Sequence, residues 1–417
     1  MKAQRAAKVL LISDRYLPEV GGSIYWFDNL YRRYPKDSVW ILTQAYPGSK
    51  AFDSASGTRI HFTRVKLRRH AFLRPESLLI YVKLLFAGIW IVLRNRVSII
   101  HASKVLPEGL VARCISRLLG VPYLVYAHGE EITIFSRNPD MLRHLRKVYD
   151  GAARVVANSS FTANCVRNLG CHGENVVRIS PGVDPDAFRP GPRNGDLVRE
   201  QRLEGKTVLL SVGRLQKRKG HDNVLRAMPE ILASCPDLVY LVTSRGEEEE
   251  PLRRLAAKLD VEHAVRFVGE TPLALLQNYY NTCDIFILAN RTLEDGDVEG
   301  FGMVFLEASS CGKPVIAGDS GGTGDPVKDA WNGLRLDTTK PENIAKAVIQ
   351  LASNPGLREK MGSNGRALVE SDYSWDSVVR KFAATDADIL AGRAAVSEAA
   401  PNPPPNSLGE PNLECHR

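Results

Sequence analysis

Cysteine is sparse and unpatterned. The seven cysteines in 417 residues stand singly, without a CxxC pair or a cysteine and histidine grouping; this argues against a zinc module and fits a reducing cytosol. No secretory leader is expected either, because MKAQRAAKVLLISDRYLPEVGG opens with only a short apolar run that reads as a first strand and stops at Asp14. No apolar run reaches the roughly 20 residues that a membrane span needs. The best candidate, Ser77 to Leu93, carries Lys83 in its middle. It is expected to be a helix buried against a sheet, with interfacial contact with a bilayer as the alternative. The formal charge of +8 comes without a zinc-finger, RNA-binding or helix-turn-helix signature, which leaves nucleic acid without support.

Charge is instead concentrated locally. Arg64, Lys66, Arg68, Arg69 and Arg74 follow one another with no acid among them, directly before the apolar segment. A polybasic patch beside an amphipathic helix holds a protein to anionic lipid. Peripheral membrane contact through Arg64, Lys66, Arg68 and Arg69 is therefore expected, against the plainer reading of a solvated face.

Short β-rich runs alternate with helical patterns: KVLLISD, SVWILTQ, VSIIHAS, PYLVYAH, RVVANSS and VVRISPG, then TVLLSVG, LVYLVTS, VRFVG, DIFILAN and KPVIAG. Near-continuous apolar strands separated by helices indicate parallel sheets covered on both faces. Two such series predict two Rossmann-like α/β domains. The break falls in SPGVDPDAFRPGPRNGD, rich in proline, glycine and aspartate. The expected domains are 1–183, completed by about 374–395, and 184–373. The proline-rich stretch 396–417 is expected to be disordered.

In parallel α/β sheets the ligand lies beyond the carboxyl ends of the strands. Gly21 and Gly22 stand after the first strand, where glycines let helix-start amides approach an anion, although a Gly-Gly turn is often merely structural. In VGRLQKRKG, after the strand TVLLS, Arg214 and Lys219 lie around a strand-to-helix turn and offer a guanidinium and an ammonium to a diphosphate. In DGDVEGFGMVFLEASSCGKP, Glu299 and Glu307 are eight residues apart, and Phe301, Gly302 and Met303 should open a helix with unpaired amides. Eight residues at helical rise span roughly 12 Å, so that one extended ligand could touch both carboxylates.

The Gly-Gly turn, AHGEE around His128, VGRLQKRKG and EGFGMVFLEA together resemble the retaining glycosyltransferases of family GT4, over nearly the whole chain up to about residue 395. The resemblance implies the α/β GT-B fold, with two Rossmann-like domains facing across a cleft and a last helix, around YSWDSVVRKF, crossing back to the first. It further implies that Arg214 and Lys219 hold the diphosphate of a nucleotide sugar, with the Gly21 and Gly22 loop closing over it. Glu307 would bind the ribose and Glu299 the transferred hexose. Backbone groups of Phe301, Gly302, Met303 and Val304 would contact hexose and phosphate, and His128 would face the reacting sugar. Catalytic roles accordingly fall to His128, Glu299, Arg214 and Lys219, with no metal and no cofactor. TSRGEEEE stands where the family has a glycine-rich base-binding loop, so the base contacts are left open.

The motif around Glu299 is most similar to that of bacterial GDP-mannose-dependent enzymes that build phosphatidylinositol mannosides. Transfer of mannose to a lipid-linked or glycan acceptor is thus expected, at the inner face of the plasma membrane, with UDP-sugars as alternative donors. Rival readings are a metal-binding DxD at Asp295 and Asp297, a glycosidase carboxylate pair, and a non-catalytic sugar-nucleotide-binding regulator.

Overall fold

The computed structural model describes residues 7–55, 60–66, 77–171 and 173–398, without the side chains of 393–398. Arg68, Arg69, Arg74 and the chain from 399 onward lie outside the described residues.

The first domain is built on seven strands: β1 (Val9–Ser13), β2 (Val39–Gln44), β3 (Ile60–Val65), β4 (Ile99–Ala102), β5 (Tyr123–Ala127), β6 (Arg154–Ala157) and β7 (Val176–Arg178). They form one parallel sheet in the order β3-β2-β1-β4-β5-β6-β7. Alternation within β1 explains the covering on both faces. Leu10 and Ile12 enter one core cluster, whereas Val9 and Leu11 enter another on the opposite side. All four are fully buried, and each such side chain contributes about 1.5–3 kcal/mol relative to exposure.

The second domain repeats the plan with β8 (Thr207–Val212), β9 (Leu238–Thr243), β10 (Val265–Gly269), β11 (Ile285–Leu288), β12 (Val315–Gly318) and β13 (Gly333–Leu336). Its parallel order is β10-β9-β8-β11-β12-β13. In each sheet the strand order reverses beside the first strand, between β1 and β4 and between β8 and β11. These are the switch points at which α/β sheets leave a crevice for ligands.

The chain crosses between the domains twice. Val183 pairs with Ser374 in an isolated parallel bridge, and the helix Trp375–Glu398 then runs back over the first domain. Val378, Phe382 and Ile389 join the first domain's core. Asp386 adds a buried polar tie, accepting from Tyr34 Oη at 2.9 Å and meeting His101 Nε2 at 3.0 Å.

The helix Leu78–Asn95 packs on the domain, as expected, but with one face only. Leu84, Gly88, Ile91 and Val92 pack inward, but Val82, Phe86, Trp90 and Leu93 form an outward apolar stripe, with Phe86 68% and Trp90 57% exposed. Spacing of three and four residues places them on one face. By length and composition this helix is apolar enough to cross a membrane, yet its inner face is committed to the domain. Arg64 departs from its expected lipid-facing role. Its guanidinium donates to Asp53 at 2.6 and 3.1 Å and to the Leu17 carbonyl at 2.8 Å, which makes it a largely buried internal tie. Lys66 remains exposed, and its carbonyl accepts from Lys83 Nζ at 3.3 Å.

Candidate active site

The turn after β8 folds into a short 3-10 segment, Lys217–Lys219, before the helix His221–Ser234. It turns two cations inward. Lys219 Nζ lies 2.5 Å from Glu299 Oε2, and Arg218 Nη1 lies 3.1 Å from the same oxygen. Asn290 Nδ2, just after β11, donates to it as well at 2.9 Å. Arg218 Nε also faces Asp297 Oδ2 at 3.3 Å. Burial alone would raise the Glu299 carboxyl, but Lys219 and Arg218 outweigh it and hold the group below the usual carboxylate range. Lys219 is lowered by burial and by neighbouring Arg218 and Arg214, against the pull of Glu299.

Arg214, the expected partner of Lys219, sits exposed on the same turn. Arg218 takes the inward position instead, and sequence reasoning passed over it. The run Lys217-Arg218-Lys219 was visible, but which member faces inward is set by the 3-10 geometry.

Glu299 precedes the helix Met303–Ser310. Gly302 supplies the entry: its φ of 90° lies in the left-handed region, and a Cβ there would fall 2.6 Å from the Phe305 ring. Among the described residues no side chain caps this helix, so the amides of Met303 and Val304 remain for another partner, while that of Phe305 donates to the Gly302 carbonyl. The Phe301 side chain is buried near Tyr373, with ring centroids 5.8 Å apart; only its backbone can serve a ligand. Since residues 299 to 302 are not helical, the helical-rise spacing between Glu299 and Glu307 does not apply to them.

Glu307 projects from the second turn of the helix. Tyr280 Oη donates to its Oε2 at 2.6 Å. Burial pushes the Glu307 carboxyl up to about 7, with the Tyr280 bond opposing. Across the cleft, the Tyr25 phenol is raised first by burial and then by the Glu307 charge.

From the first domain, Gly21 and Gly22 open the helix Gly22–Tyr31, which also lacks a side-chain cap. A Cβ on Gly22 would come within 3.4 Å of Met303 Cε, which places this turn directly across from the donor-domain helix; Met303 and Val304 are both half-buried there. His128 follows β5. Its Nε2 meets the Ser103 carbonyl at 2.8 Å and must carry the proton, since a carbonyl only accepts. Its backbone is also held, the amide donating to Glu131 at 2.7 Å and the carbonyl accepting from Asn158 at 2.9 Å.

The domains touch beside this point. A Cβ on Gly300 would fall 2.1 Å from the His128 carbonyl oxygen. Thr133 Oγ1 donates to the Gly296 carbonyl, and Arg137 Nη1 to that of Glu294, both at 2.7 Å. The acidic loop is thereby docked on the first domain. Its DxD does not converge: Asp295 accepts the Asp297 amide at 2.9 Å, while the Asp297 carboxylate turns to Arg218.

Two family models match in order: Glycosyltransferase Family 4 over residues 20–187 and Glycosyl transferases group 1 over residues 196–368. The chain is 30% identical over 386 residues to a GDP-mannose-dependent alpha-(1-6)-phosphatidylinositol monomannoside mannosyltransferase of Mycobacterium tuberculosis, covering 90% of this chain and 97% of that one. It is 28% identical to a GDP-mannose-dependent monoacylated alpha-(1-6)-phosphatidylinositol monomannoside mannosyltransferase of Corynebacterium glutamicum, over 90% and 96% of the two chains. Among solved structures, Anabaena HepE in complex with UDP and glucose superposes with a TM-score of 0.76 at 18% identity, covering 92% of this chain and all of that one. Sucrose-phosphate synthase from Thermosynechococcus elongatus gives 0.74 at 20% identity, over 93% and 100%. The chain belongs to the group 1 glycosyltransferases of family 4, has the GT-B fold, and transfers a hexosyl unit from a nucleotide sugar.

Proposed function

We propose that the chain is an α-mannosyltransferase that moves mannose from GDP-mannose to a hydroxyl of a lipid-linked acceptor without a metal ion. The observation that carries the chemistry is the convergence of Lys219 and Arg218 on Glu299 beside the uncapped helix at Met303. Similarity to GDP-mannose-dependent relatives over nine-tenths of the chain supports the donor.

As the bond between sugar and diphosphate breaks, negative charge grows on the phosphates and positive charge on the ring. In this reading Lys219, Arg218, exposed Arg214 and the helix amides would meet phosphate charge, and interactions that strengthen as charge develops lower the barrier. Such cations would supply the leaving-group help that a divalent ion gives elsewhere. Glu299 in turn fixes the two inward cations and accepts from hexose hydroxyls; among the described residues none donates to its Oε1. Glu307 would accept the ribose diol, with Tyr280 steadying the carboxylate.

Retention by double displacement would need a carboxylate opposite the leaving group. Glu299 is tied to the phosphate-side cations, and in this reading the acceptor hydroxyl attacks on the face from which the phosphate departs. The outward stripe of the helix Leu78–Asn95, with Lys66, Lys83, Arg94 and Arg96 on the same segment, would seat the enzyme on anionic lipid at the cytoplasmic face of the plasma membrane. Incubation with GDP-mannose, UDP-glucose and phosphatidylinositol mannosides in EDTA tests the assignment; mannosyl transfer from GDP-mannose alone is the expected result, and transfer from UDP-glucose would select the alternative donor.

A further inference from the structure

Behind His128, a second polar cluster lies beyond the carboxyl ends of three adjacent first-domain strands. The chain of contacts is continuous. His128 meets the carbonyl of Ser103, the residue after β4. The Ser103 hydroxyl donates to Glu108 Oε1 at 3.4 Å, and the amide of Asp14, the residue after β1, donates to the same oxygen at 2.7 Å. Glu108 is 0% exposed, and among the described residues its buried Oε2 has no hydrogen-bond partner. Buried Asp14 Oδ1 likewise has none among the described residues, whereas Asp14 as a whole is only half-buried.

A wholly buried carboxyl costs stability unless something is gained by holding it there. Burial and the Asp14 charge push the Glu108 carboxyl well above the usual carboxylate range. Lys104, half-buried on the same loop, faces Asp14, Glu108, Glu130 and Glu131 and is raised by them against burial. One ammonium thus stands in the field of the Asp14, Glu130 and Glu131 carboxylates and of the Glu108 carboxyl. A wall of this composition accepts hydrogen bonds from hydroxyl groups and repels phosphate.

We propose that Asp14 is the acceptor-recognition residue of the cleft, positioned by Glu108, and that it takes the hydroxyls of an uncharged sugar or polyol ring. The inference rests on the glycosyl-transfer reading and names the chemistry of the acceptor end. Any phosphate or lipid of a natural acceptor then lies outside this subsite, and only its neutral ring reaches Asp14. Glu108 holds the Asp14 backbone in place through the bond to its amide, which a glutamine oxygen can also accept.

The test uses the full chain saturated with GDP or UDP, whichever calorimetry shows to bind. Saturation-transfer NMR is recorded with methyl α-D-mannopyranoside and with α-D-mannose 1-phosphate. Wild type is expected to transfer saturation to the methyl glycoside at least fivefold more strongly than to the phosphate. Asp14→Asn should cut the methyl glycoside signal at least fivefold while nucleotide affinity stays within twofold. Glu108→Gln should keep that signal, and Glu108→Ala, if folded by thermal unfolding, should lose it. No transfer to the methyl glycoside in wild type, an unchanged signal in Asp14→Asn, or equal signals for the two ligands would overturn the proposal. Failure of wild type to bind any nucleotide would instead overturn the donor reading.

Discussion

Lys219 and Glu299 stand 80 residues apart in sequence, and their side chains meet at 2.5 Å. The pair joins the end of β8 to the end of β11 across the switch point of the second sheet. Both side chains are about nine-tenths buried, so each depends on the other. Removing one partner of a buried ion pair costs about 3–5 kcal/mol because the other charge is left behind. Lys219→Ala and Glu299→Ala should each lower the melting temperature and reduce turnover at least a hundredfold. The double variant should melt above the sum of the two losses; strict additivity in thermal unfolding would contradict the coupling.

Glu307 supplies a pH dependence. Its carboxyl titrates at about 7 in the folded chain, raised by burial. Between the ordinary value of 4.5 and 7 the folded state binds a proton that the unfolded state has released, so stability falls as pH rises through this window. A ribose diol donating to the ionised carboxylate favours the charged form. Nucleotide affinity should therefore rise up to about tenfold per pH unit below 7 and level off above it. Glu307→Gln should flatten both profiles, as read by thermal unfolding and by calorimetry across pH 5–8.

Gly302 combines a φ of 90° with a Cβ position 2.6 Å from the Phe305 ring. Gly302→Ala strains the backbone and displaces the helix start that faces the cleft. Nucleotide affinity should fall more than tenfold with a loss of a few degrees in melting temperature; calorimetry and thermal unfolding of the same sample separate the two effects.

Phe86→Ser with Trp90→Ser removes the centre of the outward stripe without touching the inner face of its helix. Binding to vesicles containing phosphatidylglycerol should fall at least fivefold in a flotation assay, with nucleotide binding unchanged. Equal flotation of variant and wild type would remove the membrane role.

Legibility in the sequence followed the range of the interactions. Eleven strands were readable because their apolar runs are local, and the helix start at Met303 because glycine marks it locally. The edge strands β3 and β13 were passed over, because they are only partly buried and carry no continuous apolar run. Lys219 and Glu299 were singled out by their places after strands and given roles by the motif resemblance, but their mutual contact was not visible. Arg218 was passed over beside Arg214 and Lys219, since direction around a 3-10 turn depends on what the turn packs against. Arg64 was misread because Asp53, its partner, is brought to it by the pairing of β2 with β3 and the intervening helix. The helix Leu78–Asn95 is apolar on nearly every side, a pattern that does not say which face the domain covers. The contact of Asp14 with Glu108 spans 94 residues and has no sequence signal short of the β1 and β4 pairing itself.

The most direct measurement is calorimetric binding of GDP-mannose in EDTA to wild type, Lys219→Ala, Arg218→Ala and Arg214→Ala. Binding that persists in EDTA, falls at least tenfold in Lys219→Ala and Arg218→Ala, and falls less in Arg214→Ala is the predicted result. Binding abolished by EDTA in wild type, or undiminished in both inward-facing variants, would contradict a metal-independent clamp built on the Lys219 and Glu299 pair.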